Sequence, residues 1–252
     1  MPVEQRHTPL TVETIEPQMC TLDLRHSILR QLPFFAGLPS DAIEEIQRRF
    51  HEHGYAAGET IYLAGDAATH LHVVARGKVK VLRHSLSGQD VLLDILTPSE
   101  FFGTLSALGD AEYPDTAQAL TQCCILAIAA EDFQAVLQRY PAVAVAALEI
   151  VTTRLRAAQE QVRQLSAHPA EQRVAATLLL LAQKLGEEHQ GAVLLQVPLS
   201  REDLAAMTGA AVETVSRIMS QLRKAGIIRS GRQWVAIAHR ERLAALAADT
   251  PG

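Results

Sequence analysis

Two short helices meeting at one glycine, between Leu199 and Lys224, constrain this chain more than any other segment. Ser200 followed three residues later by Asp203 has the form of a capping box that opens a helix. Gly209 interrupts that helix, and a second one is expected from about Val212 to Lys224, stopping at Gly226. On the second helix Glu213, Ser216 and Arg217 stand at i, i+3 and i+4, so they share one face. An acidic acceptor, a hydroxyl and a guanidinium on one stripe suit the edges of base pairs. Glutamate accepts from cytosine N4, and arginine donates two bonds to guanine O6 and N7. The plain alternative is a solvated ion pair between Glu213 and Arg217, which any surface helix can carry. The capped first helix and the glycine turn weigh against it. So does the run Ile227–Ile237, which reads as two strands around a turn, the wing of a winged helix-turn-helix.

Charge supports a reader of DNA confined to one module. The chain of 252 residues carries a net −5, which is not the balance of a uniformly basic surface. From residue 168 onward there are ten Lys/Arg against eight acids, and between Ser200 and Arg242 eight against four. A locally basic segment on an acidic protein fits phosphate contact by that segment alone. At this length the chain has room for two modest domains. No apolar run reaches the length of a membrane span, and residues 1–20 lack the apolar core of a signal peptide. The protein is expected to act in the cytoplasm, away from membranes.

The fold class expected is α+β. Residues 1–20 form a tail, and 21–140 form an antiparallel β-roll resembling a cyclic-nucleotide-binding jelly roll. A dimerisation helix follows at 141–167, and the winged helix-turn-helix occupies 168–252. Within the roll, a short helix is expected over Ser40–His51. The β-rich runs 60–63, 71–74, 78–82 and 91–96 then alternate with glycine turns, as in a closed sandwich or roll. Leu148, Val151, Leu155, Ala158, Val162 and Leu165 step by three and four residues, with Glu149, Arg154, Arg156, Glu160 and Arg163 on the flanks. Such a seam predicts a partner helix, hence a homodimer. A helix packed on its own domain is the alternative. His168-Pro169 ends the helix, because proline cannot continue the ladder. A further helix is expected over Ala170–Leu185, a loop over Gly186–Gln190 and a strand over Leu194–Val197.

With this layout the chain resembles the CRP/FNR family of bacterial transcription regulators over residues 25–245. The resemblance is carried by Val212-Glu213-Thr214-Val215-Ser216-Arg217, similar to the FNR-type recognition helix with its Glu-x-x-Ser-Arg pattern. Gly58-Glu59, Gly65-Asp66, Gly77 and Gly103 look like the family's roll turns, and Phe101–Ile128 is similar to the FNR and DNR branches. The resemblance implies a homodimer that binds double-stranded DNA at a TTGAT-N4-ATCAA-like palindrome and engages RNA polymerase, as an activator. It implies base contacts from Val212, Glu213, Ser216 and Arg217. Phosphate contacts are implied for Ser200, Arg201, Thr214, Arg223 and Lys224, which position without specifying.

The signal is less legible. Cyclic-nucleotide-binding members use a Gly-Glu-Leu segment and a downstream Arg-Ser pair. Here those places hold Gly103-Thr104-Leu105 and Pro114-Asp115, and an acid beside a cyclic phosphate is unfavourable, so cyclic AMP is not expected. The three cysteines, Cys20, Cys123 and Cys124, cannot supply a four-thiolate iron–sulfur cluster and argue against a disulfide framework. Adjacent cysteines on a strand point to opposite faces. Buried packing is the plain reading of that pair, and a thiol-based redox role for the three cysteines is the alternative. His70 and His72 share a strand face; surface or partly buried histidines are the plain reading, with haem or a metal-dependent cupin enzyme as the alternatives. No metal site is assigned, because the glutamate that a cupin needs is missing. The leading expectation is a non-enzymatic regulator answering a redox or gas signal, or no ligand. A cyclic-nucleotide-responsive regulator of the CRP kind is the rival within the family.

Overall fold

The computed structural model describes residues 9–10, 22–84, 90–103 and 111–248. They fall into two compact units that divide between Ala158 and Gln159. The expected tail lies outside the described residues, apart from residues 9–10.

The first unit is the roll. One antiparallel sheet runs in the order β1 (Phe50–Tyr55), β8 (Cys123–Ala129), β3 (His70–Arg76), β6 (Phe101–Phe102). The other runs β2 (Thr60–Tyr62), β7 (Thr116–Ala119), β4 (Val79–His84), β5 (Asp90–Leu96). Strand β8 shows how the sequence builds two cores from one strand. Side chains alternate across a sheet, so Cys123 and Ile125 enter the space between the sheets with Val74, Val79, Phe102 and Ala117. Cys124, Leu126 and Ile128 face the other way, onto the helices α1 (Leu22–Gln31), α2 (Ser40–Gln47), α3 (Ala130–Arg139) and the start of α4 (Pro141–Ala167). Phe34 joins that outer core by edge contacts with Phe35, Phe101 and Phe133. Burial of each such side chain contributes about 1.5–3 kcal/mol. The turn into β4 depends on Gly77. Its φ is +85°, and a Cβ there would collide with the Gln122 carbonyl and crowd the Cys123 sulfur at 2.8 Å.

Two local expectations give way to pairing partners distant in sequence. The helix expected over Ser40–His51 stops at Gln47, and Phe50–Tyr55 becomes a strand because it pairs with Cys123–Ile128 in continuous register. The loop expected over Gly186–Gln190 contains β9 (Gly186–His189), paired with β10 (Ala192–Leu195) across a turn at Gln190 and Gly191, both with positive φ. The strand expected over Leu194–Val197 is this β10, displaced toward the N-terminus.

Helix α4 carries two apolar faces. Val143 is buried, and Ala146 and Ile150 pack on the outer core. Leu148 and Leu155 are 66% and 57% exposed, and Val145, Val151 and Val162 are exposed beside them. Ala158 is exposed as well, and the side chain of Leu165 lies outside the described residues. The charged flank is not uniform: Arg154 turns its guanidinium to the Phe101 carbonyl, 2.7 Å away, and over the Phe101 ring at 4.2 Å.

The second unit holds α5 (Ala170–Leu185), α6 (Arg201–Thr208), α7 (Val212–Lys224), α8 (Arg240–Ala247) and a sheet ordered β11 (Ile228–Gly231), β12 (Trp234–Ile237), β10, β9. Val174, Leu178, Leu204, Val215, Ile218, Met219 and Leu222 supply its buried apolar face. Among the described residues no single helix is long and apolar enough to cross a membrane.

Candidate nucleic-acid interface

The helix pair is built by its caps. Ser200 is the N-cap of α6: its hydroxyl accepts from the Asp203 amide at 3.0 Å, and the Ser200 amide donates to the Asp203 carboxylate at 3.0 Å. The box satisfies two amides that a helix start leaves without intrahelical partners. Gly209 closes α6 in the left-handed region, φ 58° and ψ 32°, which costs glycine little. The chain then turns into α7, whose N-cap, Ala211, contributes no side-chain hydrogen bond.

Helix α7 is sharply two-sided. Val215, Ile218, Met219 and Leu222 are buried at helical spacing. Glu213, Ser216 and Arg217 are exposed together on the opposite side, with Val212 and Thr214 half-buried beside them. Arg223 and Lys224 are exposed at the helix end, while Ser200 and Arg201 are half-buried at the start of α6. Sequence reasoning missed an extension of the exposed stripe. Gln221 is exposed four residues beyond Arg217, and its amide has the donor and acceptor that suit adenine. The i+4 spacing was the signal that could have found it.

Arg201 shows how charge gathers here. Its pKa is lowered first by burial and then by the like charge of Arg223, with Glu202 acting in the opposite direction. Two guanidinium groups from different helices thus add like charge to one region. A phosphate between them would offset that charge. Arg201 also reaches the Ser230 hydroxyl on β11 at 3.4 Å, so α6 is tied to the wing.

The roll's interior has a different character. Tyr62 stacks on Tyr113 with ring centroids 3.8 Å apart, and His72 stacks on Phe102 at 5.2 Å. Asp115 accepts a hydrogen bond from the Tyr62 hydroxyl at 2.9 Å, and Arg83 donates to the Pro114 carbonyl at 2.9 Å. Burial raises the Asp115 pKa, partly offset by that hydroxyl and by Arg83. Tyr113 donates to the His70 carbonyl at 2.8 Å. His72 is 8% exposed. Burial, then the charges of His70 and His53, pull its pKa down to about 3, so it stays a neutral imidazole. Its Nδ1 has no hydrogen-bond partner among the described residues.

His70 and His72 do lie near each other, with centroids 6.3 Å apart. Among the described residues no group of three His, Cys, Asp or Glu side chains could hold a metal. The His72 ring does not fit a haem ligand: Phe102 and Tyr62 cover it, and a Cβ on Gly103 would lie 3.2 Å from Nδ1. Thr104 lies outside the described residues.

The cysteines separate. Cys123 is a free, buried thiol whose pKa is raised by burial, while its sulfur donates to the Lys78 and Thr121 carbonyls at 3.1 Å. Cys124 is buried in the outer core, as its packing reading expects, and it is also disulfide-bonded, which corrects the expectation against disulfides at that position. Two adjacent residues of identical type thus meet different surroundings because a strand sends them to opposite faces. Cys20 lies outside the described residues.

Known proteins agree with this division of labour. The family described as cyclic nucleotide-binding domain matches residues 52–140, and the Crp-like helix-turn-helix domain matches 172–246. The chain is 36% identical over 200 residues to the cyclic AMP receptor protein of Thermus thermophilus, covering 79% of this chain and 89% of that one. It is 28% identical to the transcriptional activator protein FnrA of Stutzerimonas stutzeri, across 82% of this chain and 84% of that one. The solved structure of FixK2 from Bradyrhizobium japonicum matches with a TM-score of 0.71 at 25% identity, covering 80% of this chain and 99% of that one.

Proposed function

The chain belongs to the CRP/FNR family of DNA-binding transcription regulators, and from that premise we propose that it acts as a homodimer on a TTGAT-N4-ATCAA-like palindrome, under a signal other than a cyclic nucleotide. It is a regulator and not an enzyme, so the cupin reading falls away. The observation that carries the proposal is the joint exposure of Glu213, Ser216 and Arg217 on α7, opposite a fully apolar buried face. Glu213 and Arg217 read base edges, with Ser216 and Val212 beside them. Ser200, Arg201, Thr214, Arg223 and Lys224 hold phosphates.

Dimerisation is supported by the exposed stripe Val145, Leu148, Val151, Leu155 and Val162 on α4, a row of large apolar side chains that water disfavours. Pairing two copies along it supplies two α7 helices and makes the target a palindrome. The regulator works in the cytoplasm with RNA polymerase as its partner and activation as its output. Selection from a random DNA pool tests the whole reading. It should enrich an inverted repeat of that type, and enrichment of no symmetrical motif would overturn it.

A cyclic-nucleotide signal is the second reading, favoured by the relative named cyclic AMP receptor protein. Against it stands Asp115, whose carboxylate is already engaged by Tyr62 and would face an incoming phosphate with like charge. Calorimetry with cyclic AMP decides: stoichiometric binding in the micromolar range would replace the proposed reading of the signal.

A further inference from the structure

Arg173 occupies an unfavourable place for a cation. It sits in the first turn of α5, where the helix dipole repels positive charge. Among the described residues its recorded partners are all backbone carbonyls. Nε donates to the Thr208 carbonyl at 2.8 Å, Nη1 to the His168 carbonyl at 2.8 Å, and Nη2 reaches the Gly209 carbonyl at 3.5 Å. Thr208 and Gly209 are the last residue and the C-cap of α6, where carbonyls lack intrahelical partners and the dipole is negative. His168 is the residue at which α4 gives way to α5. One planar fork therefore joins three points: the end of the seam helix, the start of α5, and the turn that aims α7.

We propose that Arg173 is a positioning residue for DNA reading, setting the direction of α7 relative to the end of α4 by holding the 208–209 turn. The guanidinium shape is what the task requires. Its N–H donors are fixed in a plane, whereas a lysine ammonium is a point donor on a flexible stem and cannot reach three separated carbonyls together. The claim rests on α7 being the base-reading helix, and the experiment has one arm that does not.

The full chain is compared with Arg173→Lys and Arg173→Ala. In the first arm, amide hydrogen exchange is measured by mass spectrometry without DNA. Both variants should lose protection at the hydrogen-bonded amides of residues 208–210 and 215 by tenfold or more, while Leu178–Leu181 in α5 keeps the wild-type rate. In the second arm, affinity for the selected palindrome and for a random duplex is measured across a salt series. Palindrome affinity should fall at least tenfold, with random-duplex affinity and the salt slope unchanged. Equal weakening of both duplexes with a shallower salt slope would make Arg173 a phosphate contact and overturn the proposal. Uniform loss of protection through the unit, with the ratio of the two affinities retained, would make it a general stabiliser and also overturn it. Loss of local protection with no effect on any DNA would refute the assignment of α7 rather than the clamp. If Arg173→Ala does not fold, Arg173→Lys decides by the same readings.

Discussion

On α7 the polar side chains that sequence reasoning singled out face outward, and the apolar ones supply the packing. Inside the roll the order is reversed. Tyr62, His72 and Tyr113 are buried inside the roll with Asp115 half-buried beside them, and three of the four use their polar atoms on neighbouring protein groups. The helix is arranged for a large partner that arrives from solvent. The roll interior is arranged to complete itself, with Asp115 and Tyr62 occupying each other where the family resemblance would seat a ligand. A surface that awaits DNA must leave hydrogen-bonding groups open, whereas in a core each unpaired buried group costs about 1–3 kcal/mol, a cost this interior bears at His72 Nδ1.

The largest effect should come from removing the proposed pairing of two copies. Leu155→Asp puts a charge into the exposed seam of α4. Sedimentation should show a monomer, and palindrome affinity should fall by about a hundredfold or more, since the second half-site no longer benefits from linkage. A variant still dimeric would break the argument from the seam.

The roll gives the next effect, through pH. Neutral His72 has a folded pKa near 3, against an ordinary value of 6.5. Between those values the unfolded chain binds the extra proton, so stability is full above pH 6.5 and declines as pH falls toward 3. The slope attributable to this group is about 1.4 kcal/mol per pH unit. Denaturant unfolding at several pH values should show that slope in the wild type and its flattening in His72→Phe. Equal slopes in the two proteins would mean that the imidazole is not buried as described.

The smallest effect is the most specific. Glu213→Ala should relax base preference at one position of each half-site by about 1–3 kcal/mol, leaving the other positions and the salt slope unchanged. Competition binding with single-substituted operators measures this. Uniform weakening across sequences would demote Glu213 to a helix-surface ion-pair partner.

The contrast also explains what could be read in advance. The helix pair was legible because its determinants are local. Ser200 with Asp203, Gly209, and the spacing of Val215, Ile218, Met219 and Leu222 all act within one or two turns, so α7 spans the expected residues. Likewise His168-Pro169 marks the start of α5. Strand β1 was misread because Phe50 to Tyr55 contains His51, Glu52, His53 and Gly54, a poor strand sequence that is extended by pairing with β8. Arg154 and Arg173 were invisible as functional groups for the same reason. A sequence shows a charge on a helix, whereas the carbonyls it meets lie 53 and 35 residues away. The stacked interior of the roll joins Tyr62, His72, Phe102 and Tyr113 from separate segments, and no spacing rule links them.

Strand β8 is a wall shared by two rooms. Because Cys123 and Ile125 furnish one side and Cys124, Leu126 and Ile128 the other, one length of backbone sets the position of side chains in both cores.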